Sequence, residues 1–104
     1  MTMTAEQKAI LSSTPGRILD EEFLKEFGIS QAELSRCTGI PRSTVNEIVR
    51  GKRPIQAEVA YALGLFFSMD PLFWINLQNR HDMRRVEFGN AREIRARVRP
   101  LHVS

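Results

Sequence analysis

Between Ser30 and Gly51 the chain carries four local signals whose spacing leaves little freedom in how it folds. Ser30-Gln31-Ala32-Glu33 is a capping box. In such a box the serine hydroxyl accepts from the amide three residues on while the glutamate carboxylate reaches back, so a helix starts here. Gly39 ends that helix, where a left-handed cap suits a residue without a side chain. Pro41 follows at the entry of the next helix, where its missing N–H costs nothing. The second helix is expected from about Pro41 to Arg50, with Val45, Ile48 and Val49 as its apolar stripe and Gly51 as its stop. Two short helices joined by a tight turn containing glycine make a helix-turn-helix.

The internal spacing of the unit agrees with this reading when Gln31 is counted as its first residue. The fifth position has to be small because the helices cross closely there, and it is Ser35. The ninth has to turn, and it is Gly39. Positions four, ten, fifteen and eighteen have to be apolar to fasten the pair to a core, and they are Leu34, Ile40, Val45 and Ile48. With Val45 and Ile48 inward, the helical period turns Arg42, Ser43, Asn46 and Glu47 outward or to the flank, where a recognition helix meets base edges in a major groove. Arg42 has the fork that pairs with guanine O6 and N7, Asn46 suits adenine N6 and N7, and Ser43 serves either way. Glu47 is placed to accept from cytosine or, equally, to support Arg50 or Arg42. Gln31, at the positive end of its helix, is a candidate for a backbone phosphate, with Thr44, Lys52 and Arg53 as the others.

Charge points to the same segment. The net charge is only +3, but residues 1–35 hold three cations against six anions, whereas residues 36–53 hold five cations against Glu47 alone. A second basic stretch, residues 80–99, carries seven arginines and three acids. Either run alone reads as a solvated face, and Arg36 and Arg50 are expected to be ordinary surface charges. The first run gains meaning because it lies on the segment that the spacing selects independently.

Composition excludes much else. At 104 residues, 42% hydrophobic and 26% charged, the chain suits one globular domain and is too short for two cores. The longest apolar run, Val59 to Phe67, falls well short of the ~20 residues a bilayer-spanning helix needs. The first residues show no signal-peptide pattern, so a cytoplasmic location is expected. Cys37 is the sole cysteine, and His81 and His102 are far apart, so no disulfide, metal site or cofactor is expected. With no acid–base pair, metal cluster or phosphate loop, an enzyme is not expected either.

Around the motif, residues 1–13 are expected to be a flexible N-terminal arm, 14–88 the DNA-binding domain and 89–104 a basic tail without a helix through to its end, because Pro100 forbids one. Thr14-Pro15-Gly16 punctuates the chain before a first helix carrying Ile18, Leu19, Phe23, Leu24 and Phe27 at three- and four-residue spacing. Gln56 to Phe67 form a fourth helix, apolar enough to be largely buried. Asp70-Pro71 caps and opens a fifth, carrying Leu72, Phe73, Trp74, Ile75 and Leu77 over more than one side. Phe73 and Trp74 read as core or dimer contacts, Met69 and Met83 as gap fillers, Cys37 as a small packed or partly exposed residue and His81 as structural. The fold class is therefore all-α, with five helices.

Several stretches together resemble one family. They are Thr14-Pro15-Gly16-Arg17-Ile18-Leu19, Phe23-Leu24, Ser30-Gln31 to Gly39, Arg50-Gly51-Lys52-Arg53 and Phe73-Trp74-Ile75-Asn76-Leu77-Gln78 after Pro71. Over roughly residues 14–88 the chain resembles the HigA, or virulence-associated protein I, antitoxins of the phage-repressor-like helix-turn-helix class. The resemblance implies a homodimer that reads a near-palindromic operator in double-stranded DNA, represses its own operon and neutralises a HigB-type ribonuclease toxin. It places base reading at Arg42, Ser43 and Asn46, and phosphate contacts at Gln31, Thr44 and Lys52. The chain departs from the family pattern at Gln56, where Thr or Ser usually caps helix four, and at Gly64, which reads as an interruption of that helix. A free-standing transcriptional regulator without a toxin shares every DNA-binding residue and is the alternative.

Overall fold

The computed structural model describes residues 14–102, and the expected arm 1–13 lies outside them. The first helix, α1, starts at a Thr14 cap whose side chain accepts from the Arg17 amide, with Pro15 at the first helical position. It runs as an α-helical turn Pro15–Ile18, a π-helical stretch Leu19–Leu24 and a last α-helical turn Lys25–Phe27. Gly28, at φ 65°, then caps it. The apolar spacing predicts an ordinary α-helix here, and the π-helical stretch is a difference with a physical reason. Residues five apart stack across a π-turn, so Leu19 and Leu24 are both buried and Lys25 lies 3.3 Å from Asp20.

α2 spans Gln31–Thr38 and α3 Arg42–Val49. The Ser30 hydroxyl caps α2 by accepting from the Glu33 amide at 3.0 Å. The Glu33 carboxylate is 3.9 Å from Arg36, so only half of the expected capping box is made. Gly39 takes the left-handed conformation at φ 78° that ends α2. The turn closes on its own polar groups: Ser35 Oγ donates to the Ile40 carbonyl, Thr38 Oγ1 donates to the Leu34 carbonyl at 2.6 Å, and the Ile40 amide donates to Thr38 Oγ1. All four apolar positions of the motif, Leu34, Ile40, Val45 and Ile48, are buried.

α4 spans Ala57–Phe67 and α5 Leu72–Phe88. Gln56 precedes α4 without a side-chain cap, its carbonyl accepting from the Ala60 amide. Gly64 does not interrupt α4. It lets the α4–α5 connection pass against the helix, since a Cβ there would sit 2.6 Å from Pro71 Cγ. Asp70 Oδ1 accepts from the Leu72 amide and opens α5 as expected. Phe23, Phe67, Phe73 and Trp74 form an aromatic cluster joining α1, α4 and α5, with Trp74 completely buried 4.8 Å from the Phe23 ring. Its indole N–H has no hydrogen-bond partner among the described residues.

The structure has six helices among the described residues, not five. The sixth, α6, is Ala91–Arg97 in the segment expected as a tail, packing its buried Ala91 and half-buried Ile94 back toward α5. Glu93 in its first turn and Arg95 and Arg97 in its last complement the helix dipole, and the helix stops at Arg97, before Pro100. Met83 is exposed on α5 and fills no gap, whereas Met69 packs against the core.

The motif is held from below by α1. Gly16 is buried against the C-terminal turn of α3, where an added Cβ would collide with the Ile48 carbonyl. Backbone has no soft atoms with which to yield. Gly16→Ala is therefore expected to lower stability in urea by at least about 1–3 kcal/mol. An unchanged midpoint and slope would contradict the packing of α1 on α3.

Candidate nucleic-acid interface

α3 presents a polar ridge because its other side is used up. Val45 and Ile48 are each 1% exposed, which fixes the rotation of the helix and leaves Arg42, Ser43, Asn46 and Arg50 exposed. Asn46 Nδ2 donates to Gln31 Oε1 at 3.3 Å, so the candidate base reader on α3 and the candidate phosphate contact at the start of α2 sit side by side. Arg42 and Lys52 are exposed and make no ion pair among the described residues. Of the eight residues expected at a DNA surface, Gln31 and Asn46 are in contact, Arg42, Ser43 and Lys52 have no side-chain partner among the described residues, and Arg53 keeps its outer nitrogens free.

Glu47 and Thr44 stand differently. Glu47 Oε2 accepts from Arg53 Nε at 2.6 Å, so its partner is neither Arg50 nor Arg42, and its carboxylate is engaged before any base approaches. The cause is the loop after Gly51: the Lys52 amide donates to the Glu47 carbonyl at 2.8 Å and folds Arg53 back over the end of α3. Thr44 is half-buried and lines a shallow recess with Thr38, Gly39, Ile40, Glu58 and Val59, between the turn and α4. With one carboxylate and no cation among its lining residues, that recess is a poor place for a phosphate.

One residue that orders the basic loop was not singled out for a role by its sequence. Gln78, deep on α5, accepts from the Ile55 amide at 2.8 Å through Oε1 and donates to Asp82 Oδ1 at 3.0 Å through Nε2. It is 7% exposed, the sole buried polar side chain among the described residues. It fastens the far end of the loop Lys52-Arg53-Pro54 to α5. A glutamine on an amphipathic helix has no local signature of this role, since its partner amide lies 23 residues away.

Beside this anchor is a cavity of about 210 Å³. It is lined by Thr14 to Gly16, by Ile48, by the loop Gly51 to Pro54, and by Gln78, His81, Asp82 and Arg85 of α5. Burial holds the His81 imidazole below its ordinary pKa of 6.5, the nearby guanidinium groups of Arg85 and Arg84 act in the same direction, and Asp82 opposes them. Among the described residues no group of side chains could hold a metal ion, and no helix is long and apolar enough to cross a membrane.

An all-helical domain with this turn and this exposed helix is a helix-turn-helix of the phage-repressor-like class. A family model described as "Helix-turn-helix" matches residues 21–73. Virulence-associated protein I of Dichelobacter nodosus is 36% identical over 87 residues, covering 84% of this chain and 81% of that one. A solved structure of Pseudomonas aeruginosa antitoxin HigA with the higBA promoter is 40% identical, with a TM-score of 0.80 and coverage of 86% of this chain and 97% of the other. A structure of antitoxin GraA in complex with its operator is 40% identical, with a TM-score of 0.81 and coverage of 86% and 91%. The chain belongs to the helix-turn-helix family, in its HigA-type, virulence-associated protein I branch.

Two outcomes test the site as built. Gln78→Leu strands the buried Ile55 amide and is expected to cost about 1–3 kcal/mol in urea unfolding; no loss would mean that the loop anchors elsewhere. The unfolded chain takes up the His81 proton more readily than the folded one, so stability is lost as pH falls through about 6.5 and kept above it. His81→Gln should flatten the drop in unfolding midpoint between about pH 7.5 and pH 5.5. A drop as steep as that of the unmodified chain would remove His81 as a cause.

Proposed function

We propose that this chain is a sequence-specific DNA-binding antitoxin. In this reading it acts in the cytoplasm as a homodimer, occupies a near-palindromic operator to repress its own operon, and neutralises a HigB-type ribonuclease toxin. The observation that carries the DNA part is the exposed ridge Arg42, Ser43 and Asn46, held rigidly by buried Val45 and Ile48 and flanked by unpaired Lys52. The structural relatives solved with a promoter and with an operator support it. The toxin part rests on the antitoxin relatives.

In the proposed mechanism Arg42, Ser43 and Asn46 choose the sequence, while Gln31 and Lys52, assisted by the outer nitrogens of Arg53, contact phosphates and supply affinity without choice. Gln31 also steadies Asn46, so the pair acts as one reading element. Glu47 acts through Arg53, keeping that side chain over the end of α3. Each protomer places its α3 in one of two successive major grooves about 34 Å apart. Exposed Leu72 and Phe73 at the start of α5 give a second protomer apolar surface to cover.

Selection of bound duplexes from a random pool tests this in one step, and a symmetric enriched site with half-sites one helical turn apart is the expected result. Arg42→Ala is expected to relax sequence preference, by about 1–3 kcal/mol at one base pair, whereas Lys52→Ala weakens all duplexes alike. A dimer neutralising about 6–10 phosphates loses ~10³–10⁵ in affinity between 50 and 200 mM salt. A salt-independent gel shift, or the same profile for both variants, would refute the assignment. Co-purification with the product of an adjacent small reading frame, and loss of that product's ribonuclease activity in the complex, test the toxin part.

A further inference from the structure

We infer that the cavity under the basic loop is a seat for a phosphate group, which adds Arg85 and His81 of α5 to the anion-binding residues. The inference rests on the DNA-binding reading for the source of the phosphate, though not for the seat itself. At about 210 Å³ the cavity far exceeds the ~10–15 Å³ that one water needs, so an oxyanion with part of its hydration fits. Its walls are polar and its charge is cationic. Lys52 and Arg53 come from the loop and Arg85 from α5, against the single acid Asp82 among the lining residues.

The two carboxylates nearby are already engaged. Asp82 accepts from Gln78 Nε2, and Glu47 is paired with Arg53 through Nε, which leaves the outer guanidinium nitrogens for another acceptor. Lys52 and Arg85 have no ion-pair partner among the described residues. Three cations line the recess against one carboxylate, and the guanidinium fork pairs with phosphate oxygens as it does with carboxylate.

Position argues for a phosphate of the duplex backbone. The recess is lined by Ile48 in the last turn of α3 and by Gly51 and Lys52 just after it, next to the helix proposed to enter the groove. His81 sits on its wall as the one group whose charge can respond. The groups facing it are Asp82, Arg84 and Arg85 on α5 and Lys52 and Arg53 on the loop. An anion among them offsets the cations that disfavour the imidazolium, so occupancy raises the His81 pKa.

Two measurements on the full chain test the seat. In the first, the His81 imidazole is titrated by NMR with and without excess inorganic phosphate. An upward shift of its pKa in phosphate, absent in Arg85→Gln, supports the seat. In the second, duplex affinity is followed against salt for the unmodified chain, Arg85→Gln and Arg80→Ala. Arg80 is an exposed arginine of the same helix outside the recess, so its variant controls for charge alone. Arg85→Gln is expected to weaken all duplexes alike and lower the slope of log K against log salt by roughly 1 per protomer, with a smaller change for Arg80→Ala. A phosphate-dependent His81 shift with an unchanged slope would keep the seat and assign it to a free phosphate-bearing molecule. Absence of both the His81 shift and the change in slope would overturn the inference. If no variant and no unmodified chain binds any duplex, the DNA-binding reading fails while the NMR arm still decides the seat.

Discussion

Everything the recognition helix can do depends on the fact that it cannot rotate. Val45 and Ile48 have lost essentially all contact with solvent, and the C-terminal turn rests on Gly16 at backbone distance. A small rotation of α3 would lift an isoleucine and a valine toward water and drive the Ile48 carbonyl into α1. Burying such side chains is worth roughly 1.5–3 kcal/mol each, so the register of the outward face is set by the core beneath it. Arg42, Ser43 and Asn46 are therefore presented in one fixed order, which is the condition for reading base edges.

Two further devices extend that rigidity beyond the helix pair. The aromatic cluster around Trp74 ties α1 to α4 and α5, and the π-helical stretch lets α1 bury residues five apart while still delivering Phe23 to the cluster. Gln78 then fastens the basic loop to α5 through the Ile55 amide. A chain of packed contacts thus runs from α5 through the loop to the end of α3. The molecule is long for its size, with a radius of gyration of 16.8 Å against about 13 Å for a compact chain of 100 residues.

Electrostatics near α3 is a balance, not a simple excess of positive charge. The Glu47–Arg53 pair is short and about half exposed, so its worth lies less in stability than in placing a guanidinium group beside the end of the helix. In the proposed complex a free carboxylate beside α3 would repel phosphates, and pairing it with Arg53 within the protein removes that penalty before binding. Arg42, Arg50 and Lys52, unpaired among the described residues, then dominate the local field.

The helix-turn-helix was legible because its determinants are local. A serine cap, a left-handed glycine and apolar residues at fixed offsets act within a turn or two of the chain, and they led to α2, α3 and the outward ridge. The aromatic fifth helix was legible for the same reason. What lay outside local reach went unread or was read differently: the π-helical stretch of α1, the passage of Pro71 against Gly64, the engagement of Glu47 by Arg53, the half-burial of Thr44, and α6. Gly16 and Gln78 carry no mark of their partners, which are 32 and 23 positions away. By itself, then, the sequence determined where helices begin and end and which face of α3 is polar, since capping and periodicity are properties of neighbouring residues. Only the tertiary structure decided which of those polar groups remain free and which are spent on one another, because a side chain's partner is set by where distant segments meet.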